Sequence, residues 1–283
     1  VMGILNVTPD SFSGDGLLGH TISPVDRALR QAEQMIAAGA ACLDVSGQST
    51  RPGHELVSEA EEIDRVAPVI EALAHAVDVP ISVDTFRYDV ARAACAHGAH
   101  MINDVWGLHY DPRLADLAGG QGLPLVVMDN RQAQTDPVYR ARVGLHPPLP
   151  DQSAPADPVD AVGQALARQL AVAQQRGVPR WLLVADPGMG FGKSVAAHML
   201  LTRRLQELTA PGYPLLYGPS RKGFIGKLLG GSPPEERDMA TAALCALAAE
   251  RGALLVRVHN VRAAVHAVAM SDAVMGRAAL SAT

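Results

Sequence analysis

Cysteine is scarce in this sequence, which has three cysteines among its 283 residues. An odd number of widely separated cysteines provides neither a disulfide framework nor the paired spacing of a zinc site. We therefore interpret Cys42, Cys95 and Cys245 as buried, reduced thiols, which are typical of a protein that works in the cytoplasm.

Long hydrophobic runs and a strong charge of one sign are also absent. No apolar stretch is long enough to span a membrane, and no segment has the pattern of a signal peptide. A net charge of -5 argues against nucleic acid as the main partner. The chain begins at Val1, already inside an apolar run, so we expect the natural protein to start further upstream.

Aromatic residues make up only 4% of the chain, whereas hydrophobic residues reach 48%. This composition suits parallel strands that are buried on both faces and covered by alanine-rich helices. Eight apolar runs alternate with helical patterns, which predicts an α/β fold, a (β/α)8 TIM barrel forming a single domain over residues 1–283. An open doubly wound sheet is the structural alternative. The runs are VMGILN, ACLDV, PISVD, HMIND, LPLVVM, WLLVAD, PLLYG and LLVRVH.

Helical patterns separate these runs. The first begins with Ser23 and Pro24, an N-cap followed by a first-turn proline. Long irregular connections at 7–22, 46–57 and 129–157 follow the first, second and fifth strands, on the rim where barrel enzymes carry their sites. The predicted helices cover residues 24–39, 58–77, 87–98, 111–119, 158–176, 196–210, 235–251 and 261–275.

Polar or charged side chains follow the apolar runs, at the points where the strands end. Because the carboxyl ends of barrel strands share one rim, we expect these side chains to converge. Arginine and histidine suit a phosphate group, and carboxylates with an amide suit a flat heterocycle with adjacent N–H donors. The pattern predicts a site for a ring and a phosphate, formed by Arg51, Asp84, Asn103, Asp186, Lys222, Arg257 and His259.

Each of these residues also has a simpler structural interpretation. An aspartate at a strand end often only caps the next helix, and Arg257 is compatible with a surface ion pair. His259 is compatible with a structural histidine. The glycines of DPGMGFGK match neither of the common nucleotide-binding patterns. The joint occurrence of polar residues at successive strand ends nevertheless favours a functional site.

Seven segments resemble, in order, the motif set of the dihydropteroate synthases: MGILNVTPDSFSGDG, DVSGQSTRPG, SVDT, INDVWG, DPGMGFGK, GPSRKGFIG and RVHNV. The resemblance implies a barrel transferase of folate biosynthesis that joins 6-hydroxymethyl-7,8-dihydropterin pyrophosphate to p-aminobenzoate and releases pyrophosphate. It also implies Mg²⁺ as the cofactor, a homodimer, small-molecule substrates as the partners, and inhibition by sulfonamides.

The same resemblance implies roles for individual residues. Asn6 would ligate Mg²⁺ and, with Arg257 and His259, would bind the pyrophosphate. These groups would stabilise the departing charge in an SN1-like reaction, and the aniline nitrogen would attack without a strong protein base. The implied catalytic residues are Asn6, Asp84, Lys222, Arg257 and His259. The implied pterin site consists of Asp84, Asn103, Met128, Asp186, Lys222 and Arg257. The implied p-aminobenzoate pocket consists of Phe12, Thr50, Arg51, Pro52, Phe191 and Ser220.

Three regions depart from the family pattern. Asp129 stands where histidine is more common, and Ser46 and Gln48 stand where glycine or alanine and glutamate are more common. Asn260 stands where aspartate is usual. Asp129 lies nearest to the predicted site, and the sequence assigns it no role. We expect it to be tolerated, so Asp129→His should not raise kcat/KM by more than about tenfold, or ~1.4 kcal/mol.

Two other functions stay open. A barrel that transfers a methyl group from methyltetrahydrofolate to a corrinoid would bind pterin with similar aspartate and asparagine residues, but it would not need the STRPG, SRKG and RVH segments together. A catalytically silent paralogue would bind pterin without turnover. Such a paralogue would be free to lose Asn6, Arg51, Lys222, Arg257 and His259.

Overall fold

The strands of the computed structural model follow the eight apolar runs of the sequence. The structure describes residues 1–8, 22–48, 56–131, 141 and 157–277. Within these residues, eight parallel strands form one sheet. The strands are β1 (Met2–Asn6), β2 (Cys42–Ser46), β3 (Ile81–Asp84), β4 (Met101–Asp104), β5 (Leu125–Met128), β6 (Leu183–Asp186), β7 (Leu216–Tyr217) and β8 (Leu255–Val258).

The sheet closes into a barrel. Its strand order is β6-β5-β4-β3-β2-β1-β8-β7. A parallel bridge pairs Ala185 of β6 with Leu215, the residue before β7, and so joins the two outer strands. The Ala185 amide donates to the Pro214 carbonyl over 2.9 Å at the same place. The predicted (β/α)8 TIM barrel is therefore confirmed, and the open doubly wound sheet is excluded.

Side chains alternate between the inside and the outside of the barrel along each strand. An apolar layer fills the inside near the amino-terminal ends of the strands. Two positions further along β2, β4 and β8, the inward side chains are Asp44, Asn103 and Arg257. On these three strands the interior thus changes from apolar to polar within one step of the pleat. The apolar layer consists of Met2, Cys42, Met101, Val126, Val184, Leu216 and Leu255.

Helices surround the barrel, and the outward faces of the strands pack against them to form the main core. None of the helices in the described ranges combines the length and the apolar character that crossing a membrane requires. The helices are α1 (Pro24–Ala37), α2 (Glu59–Ala76), α3 (Tyr88–Ala96), α4 (Arg113–Gln121), α5 (Pro158–Gln175), α6 (Val195–Arg203), α7 (Leu205–Thr209), α8 (Gly223–Leu228), α9 (Asp238–Glu250) and α10 (Val261–Val274).

The structure has helices at the predicted positions along the chain, but their bounds differ and some predicted helices are interrupted. Ser23 caps α1 as predicted, because its hydroxyl accepts from the Asp26 amide over 3.0 Å. The predicted helix 196–210 is interrupted at Arg204, which leaves the helical conformation while its guanidinium pairs with Glu207. The short helix α8 was not predicted, because six residues with two glycines show no helical period.

Candidate active site

Three buried polar side chains, Asp44, Asp84 and Asn103, and the half-buried Arg257 form the floor network at the carboxyl end of the barrel. Nε of Arg257 donates to Oδ2 of Asp44 over 2.5 Å, and Nη2 donates to Oδ2 of Asp84 over 2.7 Å. Nδ2 of Asn103 donates to the same oxygen of Asp44 over 3.0 Å. The strand register places Asp84 beside Asn103. Two carboxylates therefore hold one guanidinium at the bottom of the site.

Asp44 belongs to the floor network, although the sequence analysis assigned it no role. It lies inside β2, two residues before the strand ends, and it is completely buried. Its second oxygen, Oδ1, has no hydrogen-bond partner among the described residues. Its position can be recognised from the alternation of side chains along a strand. Cys42 faces the barrel interior, so Asp44, two residues further along the same strand, faces it as well.

Burial raises the pKa of both carboxyl groups of the predicted pterin site. Burial raises the pKa of Asp84 to about 7, although the charge of Arg257 opposes this rise. Burial raises the pKa of Asp186 to about 6, opposed by the hydrogen bond from the Gly188 amide and by the charge of Lys193. Carboxyl groups that titrate near neutral pH are typical of functional sites in clefts.

The loop after β6 packs closely against Lys222. Gly190 has a φ of 87°, and a Cβ atom there would lie only 2.7 Å from Cδ of Lys222. Nζ of Lys222 lies 4.0 Å from the centre of the Phe191 ring, a cation–π contact. Met128 is buried and pairs in register with Asp186. Gly190 of DPGMGFGK thus allows close packing at the candidate site, and Phe191 of the predicted p-aminobenzoate pocket lies beside Lys222 of the predicted pterin site.

Ser220 and His259 form a pair at the ends of β7 and β8. Oγ of Ser220 lies 2.8 Å from Nδ1 of His259, and the His259 amide donates to the same hydroxyl over 3.0 Å. Between Ser220 and Lys222, Arg221 has a φ of 56°. Its guanidinium forms two hydrogen bonds to Asp238, of 2.7 and 2.8 Å. The backbone around Arg221 is therefore fixed from outside the site.

Asn6 ends β1, is half-buried and pairs in register with Ser46. Within the part of the chain that the structure describes, no three His, Cys, Asp or Glu residues are grouped as metal ligands. Mg²⁺ often keeps several waters and takes phosphate oxygens as ligands, so a single amide oxygen is compatible with it. The donor set therefore fits a metal ion that arrives with a phosphorylated substrate rather than one held by a protein cage.

Side chains hold the base of the loop after β2. Oε1 of Gln48 accepts from the Val57 amide over 2.8 Å, and Arg87 donates to the Val57 carbonyl over 2.8 Å. Arg87 also pairs with the buried Glu62 over 2.6 Å. The glutamine that departs from the family pattern therefore closes the base of this loop. Four residues of the predicted p-aminobenzoate pocket lie outside the described residues: Phe12, Thr50, Arg51 and Pro52.

Asp129, the departure nearest to the site, is buried in an ion pair. Its Oδ2 atom lies 2.8 Å from Nε of Arg131 and 3.1 Å from Nζ of Lys193. Two cations therefore face this carboxylate, and its negative charge is neutralised where it lies. The sequence could not assign this role, because Lys193 is 64 positions away along the chain.

The sequence matches the pterin binding enzyme family over residues 2–259. The chain belongs to this family of pterin-binding barrels. It is 43% identical over 276 residues to a dihydropteroate synthase of Streptococcus pyogenes, covering 97% of this chain and 95% of the relative. It is 39% identical to that of Bacillus subtilis, covering 98% and 89%. Within the family, the chain is thus a transferase of the dihydropteroate synthase type.

Solved structures agree with this assignment. The Xanthomonas albilineans dihydropteroate synthase with 4-aminobenzoic acid has a TM-score of 0.84 and 40% identity, covering 99% of this chain and 93% of that one. The same enzyme in complex with 7,8-dihydropteroate has a TM-score of 0.82 and 38% identity, covering 99% and 94%. The family resemblance stated from the motifs is therefore confirmed.

Proposed function

We propose that this chain joins 6-hydroxymethyl-7,8-dihydropterin pyrophosphate to p-aminobenzoate, forming 7,8-dihydropteroate and pyrophosphate for folate biosynthesis. The floor network carries the proposal, because a barrel interior that turns from apolar to polar over one pleat is suited to a flat, polar heterocycle. Solved relatives that contain 4-aminobenzoic acid and 7,8-dihydropteroate support the choice of substrates.

The pterin would lie on the floor network. Its adjacent N–H groups would donate to the carboxylates of Asp84 and Asp186, and Asn103 would bind the same edge. Lys222 would donate to the ring carbonyl, and Met128 would pack against the ring. Arg257, which Asp44 and Asp84 hold in place, would stack against the ring and direct its positive charge towards the pyrophosphate.

The reaction would break the bond between the exocyclic methylene carbon and the bridging oxygen, and the electron pair would leave with pyrophosphate. Arg257 and His259 would bind the departing group, and Ser220 would hold the His259 ring. The aniline nitrogen would then form the new C–N bond and lose a proton to water, in an SN1-like order. Asn6 would hold Mg²⁺, which when bound supplies positive charge to the pyrophosphate.

The p-aminobenzoate would lie nearer to solvent than the pterin, against Phe191 and Ser220. The predicted loop residues Phe12, Thr50, Arg51 and Pro52 would complete this pocket. A dihydropteroate synthase of Yersinia pestis, 39% identical with a TM-score of 0.82, has been solved as a sulfonamide drug complex. We therefore expect sulfonamides to compete with p-aminobenzoate here as well.

The protein would act as a homodimer in the cytoplasm. The neighbouring helices α9 and α10 expose large apolar side chains, among which Met239 is 85% exposed, Met270 66% and Val274 81%. A second copy of the chain would cover them. All three cysteines are free thiols, as a reducing compartment would keep them.

Light scattering of the purified protein tests the proposed homodimer, and a monomeric mass would contradict it.

A product assay tests the proposed reaction. The protein, the pterin pyrophosphate, p-aminobenzoate and Mg²⁺ should give dihydropteroate and pyrophosphate in equal amounts. Tight pterin binding without pyrophosphate release would instead indicate a silent paralogue. Methyl transfer from methyltetrahydrofolate to a corrinoid, with no dihydropteroate formed, would indicate the methyltransferase alternative.

A further inference from the structure

Lys193 is a buried cation that the proposed reaction does not use. It lies in the loop after β6, and its side chain is only 3% exposed. The chain has 24 basic residues, of which only three are lysines: Lys193, Lys222 and Lys227. Most basic residues of this chain are therefore arginines, whereas this buried position carries the compact ammonium group of a lysine.

The ammonium group of Lys193 binds three backbone carbonyls at once. Nζ donates to the carbonyl oxygen of Asp129 over 2.7 Å, of Gly188 over 3.1 Å and of Phe191 over 3.4 Å. Three rotatable donors on one nitrogen match such a cluster, whereas a planar guanidinium does not. The end of β5 and the loop after β6 are therefore joined through a single atom.

The glycine at position 188 makes this arrangement possible. It has a φ of 66°, and a Cβ atom there would lie 2.1 Å from the Asp129 carbonyl oxygen and 2.9 Å from Nζ of Lys193. The Gly188 amide donates to Oδ1 of Asp186 over 2.7 Å. The loop that wraps around Lys193 therefore also fixes the carboxylate at the end of β6.

Asp129 provides the counter-charge for Lys193. Its carboxylate lies 3.1 Å from Nζ and also contacts Arg131. A buried ammonium group without a partner carries a large desolvation penalty. Burial lowers the pKa of Lys193, and the charge of Asp129 opposes this effect. The acidic residue that departs from the family pattern thus keeps the cation at its position.

We propose that Lys193, held by Asp129, is a positioning residue of the pterin site: it fixes the loop that carries Asp186 and Phe191. The inference rests on the proposed function, because Asp186 is taken to bind the pterin. Phe191 in turn contacts Lys222 over 4.0 Å, so the same loop reaches a second residue of the predicted pterin site.

The proposal has an electrostatic consequence that a purely structural role does not have. Lys193 lowers the pKa of Asp186, so removing its charge should raise that pKa and shift pterin binding to higher pH. The other groups that act on Asp186 are the Gly188 amide, Lys222 and Arg257. The charged or titratable groups around Lys193 and Asp129 are Arg131, Asp186, His109 and His198.

Titration calorimetry with 6-hydroxymethylpterin between pH 5.5 and about 8.5 tests the proposal. The double variant Lys193→Met/Asp129→Leu removes both charges and leaves no unpaired carboxylate. We expect its Kd for 6-hydroxymethylpterin to be at least tenfold higher than that of the wild type. The pH at which the affinity reaches half of its maximum should rise by about half a unit. Lys227→Met, at an exposed lysine of α8, is the matched control and should change neither quantity.

The variant Lys193→Arg separates charge from shape. We expect it to raise Kd about threefold or more while keeping the pH profile of the wild type, because the charge stays and the donor geometry changes. Wild-type Kd and pH profile in a folded double variant would overturn the proposal. If the double variant does not fold, an unchanged Kd in Lys193→Arg would overturn it. Because the readout is pterin binding, a protein that binds pterin but forms no dihydropteroate would contradict only the proposed function.

Discussion

The two sides of the candidate site hold their buried charges in different ways. On the side of β2, β3, β4 and β8, opposite charges meet on the floor itself, where Arg257 contacts Asp44 and Asp84. On the side of β5 and β6, Lys193 pairs with the carboxylate of Asp129 and donates to backbone carbonyls. The first arrangement offers groups that a ligand can bind, and the second gives a loop a fixed shape. Under the proposed function, the charges of the floor network would bind the ligand, whereas the pair of Lys193 and Asp129 would position the loop after β6.

Removing a floor carboxylate should have the largest effect. We expect Asp84→Ala to lower kcat/KM by about 1000-fold, or ~4 kcal/mol, because it removes a pterin acceptor and leaves Arg257 with one carboxylate fewer. Steady-state kinetics with both substrates measures this effect. Asp78→Ala, at an exposed aspartate after α2, is the control and should retain wild-type kcat/KM. A loss of less than about tenfold in Asp84→Ala would show that the floor does not bind the reacting ring.

A change at Asp44 tests whether activity depends on a residue that orients Arg257 and Asn103 and is not proposed to contact the substrate. Asp44→Asn keeps the shape and removes the charge that faces Arg257, so we expect kcat/KM to fall about 30-fold, or ~2 kcal/mol. The loss should appear for the pyrophosphate substrate more than for binding of the free pterin, since Arg257 is proposed to act on the leaving group. Equal losses in both measurements would contradict this division of roles.

The pH dependence of pterin binding should distinguish the contribution of Asp84 in the floor network from that of Asp186 at the end of β6. A protonated carboxyl group cannot accept from the ring N–H groups, and burial raises the pKa of Asp84 to about 7. Binding should therefore strengthen as pH rises through 7, with an affinity about tenfold higher at pH 8 than at pH 6. Calorimetry of the free pterin measures this, and Asp84→Asn should remove the part of the dependence centred near pH 7 while leaving the part that Asp186 causes near pH 6. A flat profile in the wild type would mean that Asp84 is not an acceptor for the ring.

The smallest effect is expected outside both sides of the site, at Asn260. Its Nδ2 atom donates to Asp238 over 3.0 Å, and Asp238 also binds Arg221. Asn260→Asp would place two carboxylates together and should cost about 1 kcal/mol, or about 3 °C in Tm. We expect kcat/KM to stay within about threefold of the wild type. Thermal unfolding checks the first expectation, and a larger loss of activity than of stability would contradict the second.

The barrel could be predicted from the sequence because its signals are local. Alternating apolar runs and helix caps define the eight strands, and a strand end places Asn103 or Asp186 on the rim without any knowledge of the fold's details. Asp44 was missed because it lies inside an apolar run rather than after one. The period of two, counted from Cys42, would have placed it inside the barrel.

The ion pair of Asp129 and Lys193 could not be predicted, because no local pattern joins residues so far apart. The sequence shows only an unusual aspartate and a lysine after three glycines. Their contact depends on how β5 and β6 bring two loops together and on the close approach that Gly188 permits. Side chains at strand ends can be predicted from the local sequence. The residues that position them can be recognised only once the three-dimensional structure shows which segments lie together.

A crystal structure with 6-hydroxymethylpterin bound tests the central claim most directly. We predict that the N–H edge of the ring lies within about 3.2 Å of the carboxylates of Asp84 and Asp186, with Asn103 at the same edge. Lys193 should keep its carbonyl contacts, because it is proposed to hold the loop after β6 and not to contact the ring. A pterin bound away from Asp84, Asn103 and Asp186 would contradict the account.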